Sequence, residues 1–205
     1  MDSRLKQQLD FIMEIDKLKG IYRQTYLLDA SRKENDAEHS WHLAAMALLL
    51  AEYAPEKLDL LKVLKMVILH DLVEIDAGDS FCYDDAAICD KAEREEAAAA
   101  RLFALLPSDQ EEEFRGFWQE FEKRSSPEAR FAASLDRLQP LMHNYHTRGK
   151  SWQEHGVTKD KVIQRNSYIR EGSPKLWEYG ESLIDKAVDR GYLQRRDETG
   201  EKAGK

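Results

Sequence analysis

Residues 60–79 read LLKVLKMVILHDLVEIDAGD, and the spacing of apolar side chains in that stretch decides the fold class. Leu61, Leu64, Val67 and Ile68 recur at three- and four-residue intervals, the repeat of one helix face, with no period-two alternation. The helix delivers His70 and Asp71 from its C-terminal half, and Ile75 and Gly78 mark its exit. A histidine and a carboxylate carried toward a core on an apolar helix are costly to bury unless something pairs with them.

The same period extends in both directions. Leu5, Leu9, Ile12, Met13 and Leu18 fall on one face of a first helix, which Gly20 should end. Ile21–Asn35 reads as a loop of unusual length and therefore as a candidate for function. Asn35 with Glu38 forms a capping-box pattern that opens a second helix, closed by Pro55, and sets His39 in its first turn. Downstream, residues 79–88 are irregular and acidic. Helix resumes from Asp90 to Leu106, with a face of Ala and Leu suited to packing or to a dimer surface. Pro107 stops it, and Ser108 with Glu111 suggests a second capping box before Phe114, Phe117, Trp118 and Phe121, which read as core.

Ser126-Pro127 starts a long helix through Leu135, Leu138, Leu141 and Tyr145, with Asp136 inside its apolar run and Pro140 expected to kink it. Thr158 can cap a further helix to Gly172, and Ser173-Pro174 a last one through Val188. No internal repeat or linker is visible. The expectation is one all-α bundle of about six to eight helices over residues 1–193, followed by a charged, disordered tail over 194–205.

The chain has 205 residues, 31 Lys and Arg against 39 Asp and Glu, and a net charge of −8. That length suits one core, and 42% apolar residues exclude a disordered chain. The acidic balance argues against broad nucleic-acid binding, which needs a basic footprint. The N-terminus has no signal-peptide core and no stretch reaches bilayer length, so a soluble cytoplasmic protein without membrane association is expected. Cys82 and Cys89 lack metal or disulfide spacing and read as reduced thiols.

Three helices thus present His39, His70 with Asp71, and Asp136 against apolar backgrounds. Two imidazoles and two carboxylates suit a divalent ion such as Mn, Co or Fe(II), with open positions for water and a substrate oxygen. Glu74 shares the face of His70 and Asp71, in reach of a reacting water as general acid or base. A His-Asp dipeptide is expected about half a time by chance in such a composition, so the pair alone is weak. The full spacing H-x30-H-D-x2-E-x4-D-x56-D, with Asp136 inside a helix, carries the weight.

In the strings NDAEHSWHLA, ILHDLVEIDAGD and ASLDRLQP, covering roughly residues 18–145, the chain resembles the HD-domain metal-dependent phosphohydrolases. Within them it is most similar to the small 5′-deoxynucleotidases of the YfbR-like type and their eukaryotic relatives. The resemblance implies an HD-type bundle and one divalent metal (Mn, Co, Fe, Zn or Mg) held by His39, His70, Asp71 and Asp136. It implies that Glu74 and Asp79 activate or orient water, that Arg23 contacts substrate phosphate, and that the protein forms a homodimer. The substrate is then a nucleoside or deoxynucleoside 5′-monophosphate, or a similar small phosphomonoester. The family has Trp after the phosphate-binding arginine, where it helps to exclude a 2′-hydroxyl; this chain has Gln24.

Two-metal HD proteins carry further histidines between the HD pair and the last aspartate, and none lies between Asp71 and Asp136. The family does not keep histidine at position 42, so His42 reads as a core or supporting residue, and His143, His146 and His155 as packing or surface groups. Lys19, Arg32 and Lys33 would add local positive potential. Two other readings use the same residues. One is a nucleoside triphosphate or guanosine-tetraphosphate hydrolase; the other is a non-catalytic metal- or nucleotide-binding module acting on a partner through the Ala-rich helix.

Overall fold

The computed structural model describes residues 2–78 and 90–195. Asp79, Cys82, Cys89 and most of the expected tail lie outside them. Helix α1 (Ser3–Ile15) runs through a 3-10 turn, Asp16–Gly20, into the segment expected to be a loop. That segment is instead an antiparallel hairpin of β1 (Tyr22–Tyr26) and β2 (Lys33–Asn35), with Tyr22 opposite Asn35 and Tyr26 opposite Lys33. Strands this short, with an irregular register between those two pairs, leave too few residues for alternation to be read.

The Asn35 capping box forms in both directions: Glu38 N donates to Asn35 Oδ1 at 2.9 Å, and Asn35 N to Glu38 Oε2 at 3.2 Å. It starts α2 (Asp36–Leu50). Helix α3 (Leu60–Leu69) ends one residue short of the histidine-aspartate pair, because His70–Val73 tighten into a 3-10 turn before the short α4 (Glu74–Ala77). Gly78 then takes φ +74°, the left-handed region that a side chain disfavours.

After the undescribed stretch come α5 (Lys91–Phe103), α6 (Ser108–Lys123), α7 (Pro127–His146), α8 (Lys150–Glu154), α9 (Lys159–Asn166), α10 (Ile169–Gly172) and α11 (Pro174–Asp189). The longer helices, α1, α2, α3, α5, α6, α7, α9 and α11, fall within the expected range. The caps at Ser126 and Ser173 form, donated by Ala129 N and Leu176 N at 3.2 Å each. The second capping box does not: helix α6 starts on the Pro107 carbonyl, which accepts from Gln110 N and Glu111 N, and Ser108 becomes a helical residue. The single helix expected from Thr158 to Gly172 is two, broken after Asn166. Thr158 makes no side-chain cap; it pairs with Gln194 in an isolated bridge.

Among the described residues two apolar clusters form the core. Leu43, Met66, Val67, Phe131, Leu135 and Leu138 belong to the first, built by α2 and α3 with the central helix α7. Phe11, Leu18, Leu69, Leu72, Ala99, Leu102 and Phe103 belong to the second. The Ala and Leu face of α5 is therefore packed within the chain, which removes it as a dimer or regulatory surface. Helix α1 also differs from expectation. Phe11 is its buried residue, set edge-on to Phe114 with ring centroids 6.0 Å apart, while Leu5, Leu9, Ile12 and Met13 are exposed. Docking through one ring and the polar pairs Arg4–Asp109 and Gln8–Gln110 turns the leucine stripe outward. Among the described residues no helix is long and apolar enough to cross a membrane.

Candidate functional site

The seam between the two clusters is where the chemistry-bearing residues meet. His70 packs its ring against Phe121 at 4.8 Å between centroids and approaches His39 at 5.7 Å. From α7, Asp136 reaches both: its Oδ1 is 3.1 Å from His39 Nε2 and 3.7 Å from His70 Nε2. Asp71 Oδ1 lies 3.2 Å from His70 Nε2. His39 from α2, His70 and Asp71 from the 3-10 turn and Asp136 from α7 are thus buried together; His70, Asp71 and Asp136 line one pocket, with Glu74 beside them and His39 behind Asp136.

The back of each imidazole settles its tautomer. His70 Nδ1 donates to the Val67 carbonyl at 3.0 Å, and His39 Nδ1 to Gln139 Oε1 at 3.2 Å. Each ring therefore turns an Nε2 lone pair toward carboxylate oxygens, an arrangement that needs a cation between the partners. In the protein without an ion, protons fill that need. Burial alone would depress the His70 imidazole, but Asp71 and Asp136 raise it to about 10; His39 is raised too. Burial opposes ionisation of Asp71, yet His70 and Arg23 hold it well below the carboxylate range; Asp136 is likewise held low by Arg137, His39 and His70. Two imidazoles and a carboxylate with ligand atoms within 4.8 Å of one another, at His39, His70 and Asp136, could hold a divalent metal.

Arg23 comes from β1 and is half-buried among acids. Its Nη1 donates to Asp71 Oδ2 at 2.6 Å and to Asp36 Oδ1 at 3.1 Å, and its Nη2 stands 3.8 Å from Asp136 Oδ1. Its hairpin is what delivers it. A cavity of about 130 Å³ opens over this floor, against the ~10–15 Å³ that holds one water. Lys91, Arg137 and Arg165 also line it. Of the cations suggested by sequence, Lys19 pairs with Asp16 and Arg32 with Glu38, while Lys33 donates to Gln24 on the cavity wall and keeps its charge there.

Glu34, Asp36 and Gln139 are buried polar residues that sequence reasoning passed over. Gln139 and His143 do carry a signal: with Asp136 they make a polar stripe at i, i+3 and i+7 on an otherwise apolar helix. His143 is buried, whereas His146 and His155 are exposed. Asp79 lies outside the described residues.

The HD domain family matches residues 15–177. The chain belongs to the HD domain family. The match reaches beyond Tyr145 and so includes Ser151, Trp152, Arg165 and Asn166, which line the cavity. Among solved structures, the HD-domain chain is similar to a predicted metal-dependent phosphohydrolase from Magnetospirillum magnetotacticum MS-1. The two are 56% identical, with 94% of this chain and 97% of the other covered and a TM-score of 0.91. It is 30% identical over 135 residues to the 5′-deoxynucleotidase HDDC2 of Bos taurus, covering 65% of this chain and 64% of that protein. The Homo sapiens protein of the same name is 28% identical, covering 65% of each. The chain thus spans just under two thirds of the length of these two relatives.

Proposed function

We propose that the protein is a metal-dependent phosphohydrolase that removes phosphate from a nucleoside or deoxynucleoside 5′-monophosphate, or a similar small phosphomonoester. The observation that carries this reading is the pair of imidazoles, both presenting Nε2 to Asp136, which with His70 lines a cavity that also holds Arg23, Lys91, Arg137 and Arg165. The names of its relatives from cattle and from Magnetospirillum point the same way.

In this reading His39, His70, Asp71 and Asp136 hold one divalent ion, Mn, Co, Fe, Zn or Mg. When bound, the ion supplies Lewis acidity that offsets phosphate charge and acidifies water. Arg23 donates to the phosphate oxygens, exchanging part of its pairing with Asp71 and Asp36. Glu74 accepts a proton from the attacking water. The water oxygen bonds to phosphorus as the phosphorus–ester oxygen bond breaks, and Glu74 passes the proton it accepted to the departing ester oxygen, which leaves as the alcohol. Asp79 keeps the water-orienting role that the resemblance assigns. Gln24 lines the cavity where the family has Trp, which favours relaxed discrimination at the sugar.

The cavity draws on residues from Arg23 to Asn166, supporting one domain over residues 1–193. Exposed Trp41, Leu48 and Leu49 on the outer face of α2 support a homodimer, with no nucleic-acid or membrane partner. A nucleotide substrate supports a cytoplasmic location.

The test strips the protein with chelator, restores each metal singly, and measures phosphate release from ribo- and deoxyribonucleoside monophosphates. Activity should vanish on stripping and return with metal. Activity persisting in His70→Ala and Asp71→Ala overturns the reading, and pyrophosphate among the products from triphosphates favours the polyphosphate alternative.

A further inference from the structure

We infer that the protein holds a second metal site, built from Glu34, His42 and His143 behind the metal centre, with a transition metal of the Zn(II) class as its ligand. A ring nitrogen from each histidine and a carboxylate oxygen of Glu34 lie within 4.8 Å of one another. The donors come from β2, α2 and α7. Two imidazoles and a carboxylate are a zinc-type donor set that leaves a fourth position for water.

Hydrogen-bond accounting points to a cation here. The Gln139 amide nitrogen stands at the centre, 2.7 Å from Glu34 Oε1, 3.2 Å from His143 Nε2 and 3.3 Å from His42 Nδ1. An amide NH₂ has two hydrogens for these three atoms. Turning the amide over does not help, since its oxygen would then face the Glu34 carboxylate and its NH₂ would face the Nδ1–H of His39. Glu34 is 2% exposed, and its Oε2 has no hydrogen bond; the His39 Nδ1 at 3.6 Å gives its proton to Gln139.

His143, 4% exposed, has its tautomer set as a metal ligand requires: Nδ1 donates to the Tyr26 carbonyl at 3.0 Å and leaves Nε2 facing the cluster. His42 is partly exposed and provides the way in. A cation in this place displaces the Gln139 NH₂ and satisfies all three donors at once. It also clamps the hairpin that carries Arg23 to the helices that carry His39 and Asp136. The site is thereby a structural clamp behind the cavity.

The full-length protein, stripped of metal, is titrated with Zn(II), and retained metal is measured after gel filtration, with Co(II) absorption reporting the ligand type. The expected result is two equivalents in the wild type and one in His42→Ala and in His143→Gln. Asp136→Asn is expected to lose the other equivalent and keep this one, so failure of the two sites can be told apart. A wild type that saturates at one equivalent, or a folded His42→Ala that still holds two, overturns the proposal. His42 is at the rim, so that variant decides the matter even if His143→Gln does not fold.

Discussion

His39 Nε2 lies 3.1 Å from Asp136 Oδ1, joining the first turn of α2 to the middle of α7 across 97 positions of sequence. Gln139 holds the opposite side of the same ring, so His39 is fixed in both tautomer and orientation. Asp136→Asn keeps the shape and removes the charge. Its metal affinity should fall by more than the roughly 10–100-fold typical of losing a supporting partner, with phosphatase activity falling in parallel. Metal content after dialysis and phosphate release check this, with circular dichroism confirming the helices.

Arg23 competes with a metal for Asp71, to which it donates at 2.6 Å. Arg23→Gln should therefore move two properties in opposite directions. KM for the phosphomonoester should rise by about tenfold or more, as expected for loss of a charge-assisted bond of ~1.5–3 kcal/mol. Metal affinity should increase, because Asp71 and Asp136 lose a cationic neighbour. Calorimetric metal titration and steady-state kinetics on one preparation measure both.

The raised His70 gives a pH signature to the metal-free protein. A group whose folded value is lifted from 6.5 to about 10 stabilises the fold fully below pH 6.5, and that contribution drains away as pH climbs toward 10. The metal-bound form needs His70 neutral, so metal binding at pH 7 should release protons, and the rise in Tm on adding metal should grow over the same window. Scanning calorimetry of stripped and loaded protein from pH 6.5 to 10, with proton release read in buffers of different ionisation enthalpy, checks the sign.

Gly172 sits where α10 meets α7. A methyl group there would stand 2.3 Å from the Arg130 carbonyl oxygen and 2.2 Å from Ser134 Oγ, backbone and buried hydroxyl that have little room to give. Gly172→Ala should cost about 1–3 kcal/mol of stability by overpacking, with metal stoichiometry retained. Urea denaturation gives the change in midpoint.

Much of the site is legible in the sequence because helical spacing is local. The capping box at Asn35 and Glu38 fixes where α2 begins, hence that His39 lies in its first turn. The apolar run around Asp136 says that it is carried inward; before His70 the buried face is Val63, Met66 and Val67, while Leu61 and Ile68 of the expected repeat are exposed. What escapes is whatever depends on a partner distant in the chain. Leu5, Leu9 and Ile12 make an apolar stripe, yet Phe11 alone of α1 is buried, since docking geometry rather than periodicity selects the contact. Ser108 was in register for a cap that the Pro107 carbonyl makes redundant.

The sequence by itself determined the helical class, the principal helix starts and the placing of His39 in the first turn of α2, because backbone capping and a 3.6-residue repeat are short-range physics. Only the tertiary structure decided that Ile21–Asn35 is a hairpin delivering Arg23 to Asp71, and that Lys91, Arg137 and Arg165 share its cavity. It also decided that Gln139 stands between His39 and the Glu34, His42 and His143 cluster. Such contacts arise from how buried charges and amides must be satisfied once the helices are packed, and no local pattern along the chain carries that information.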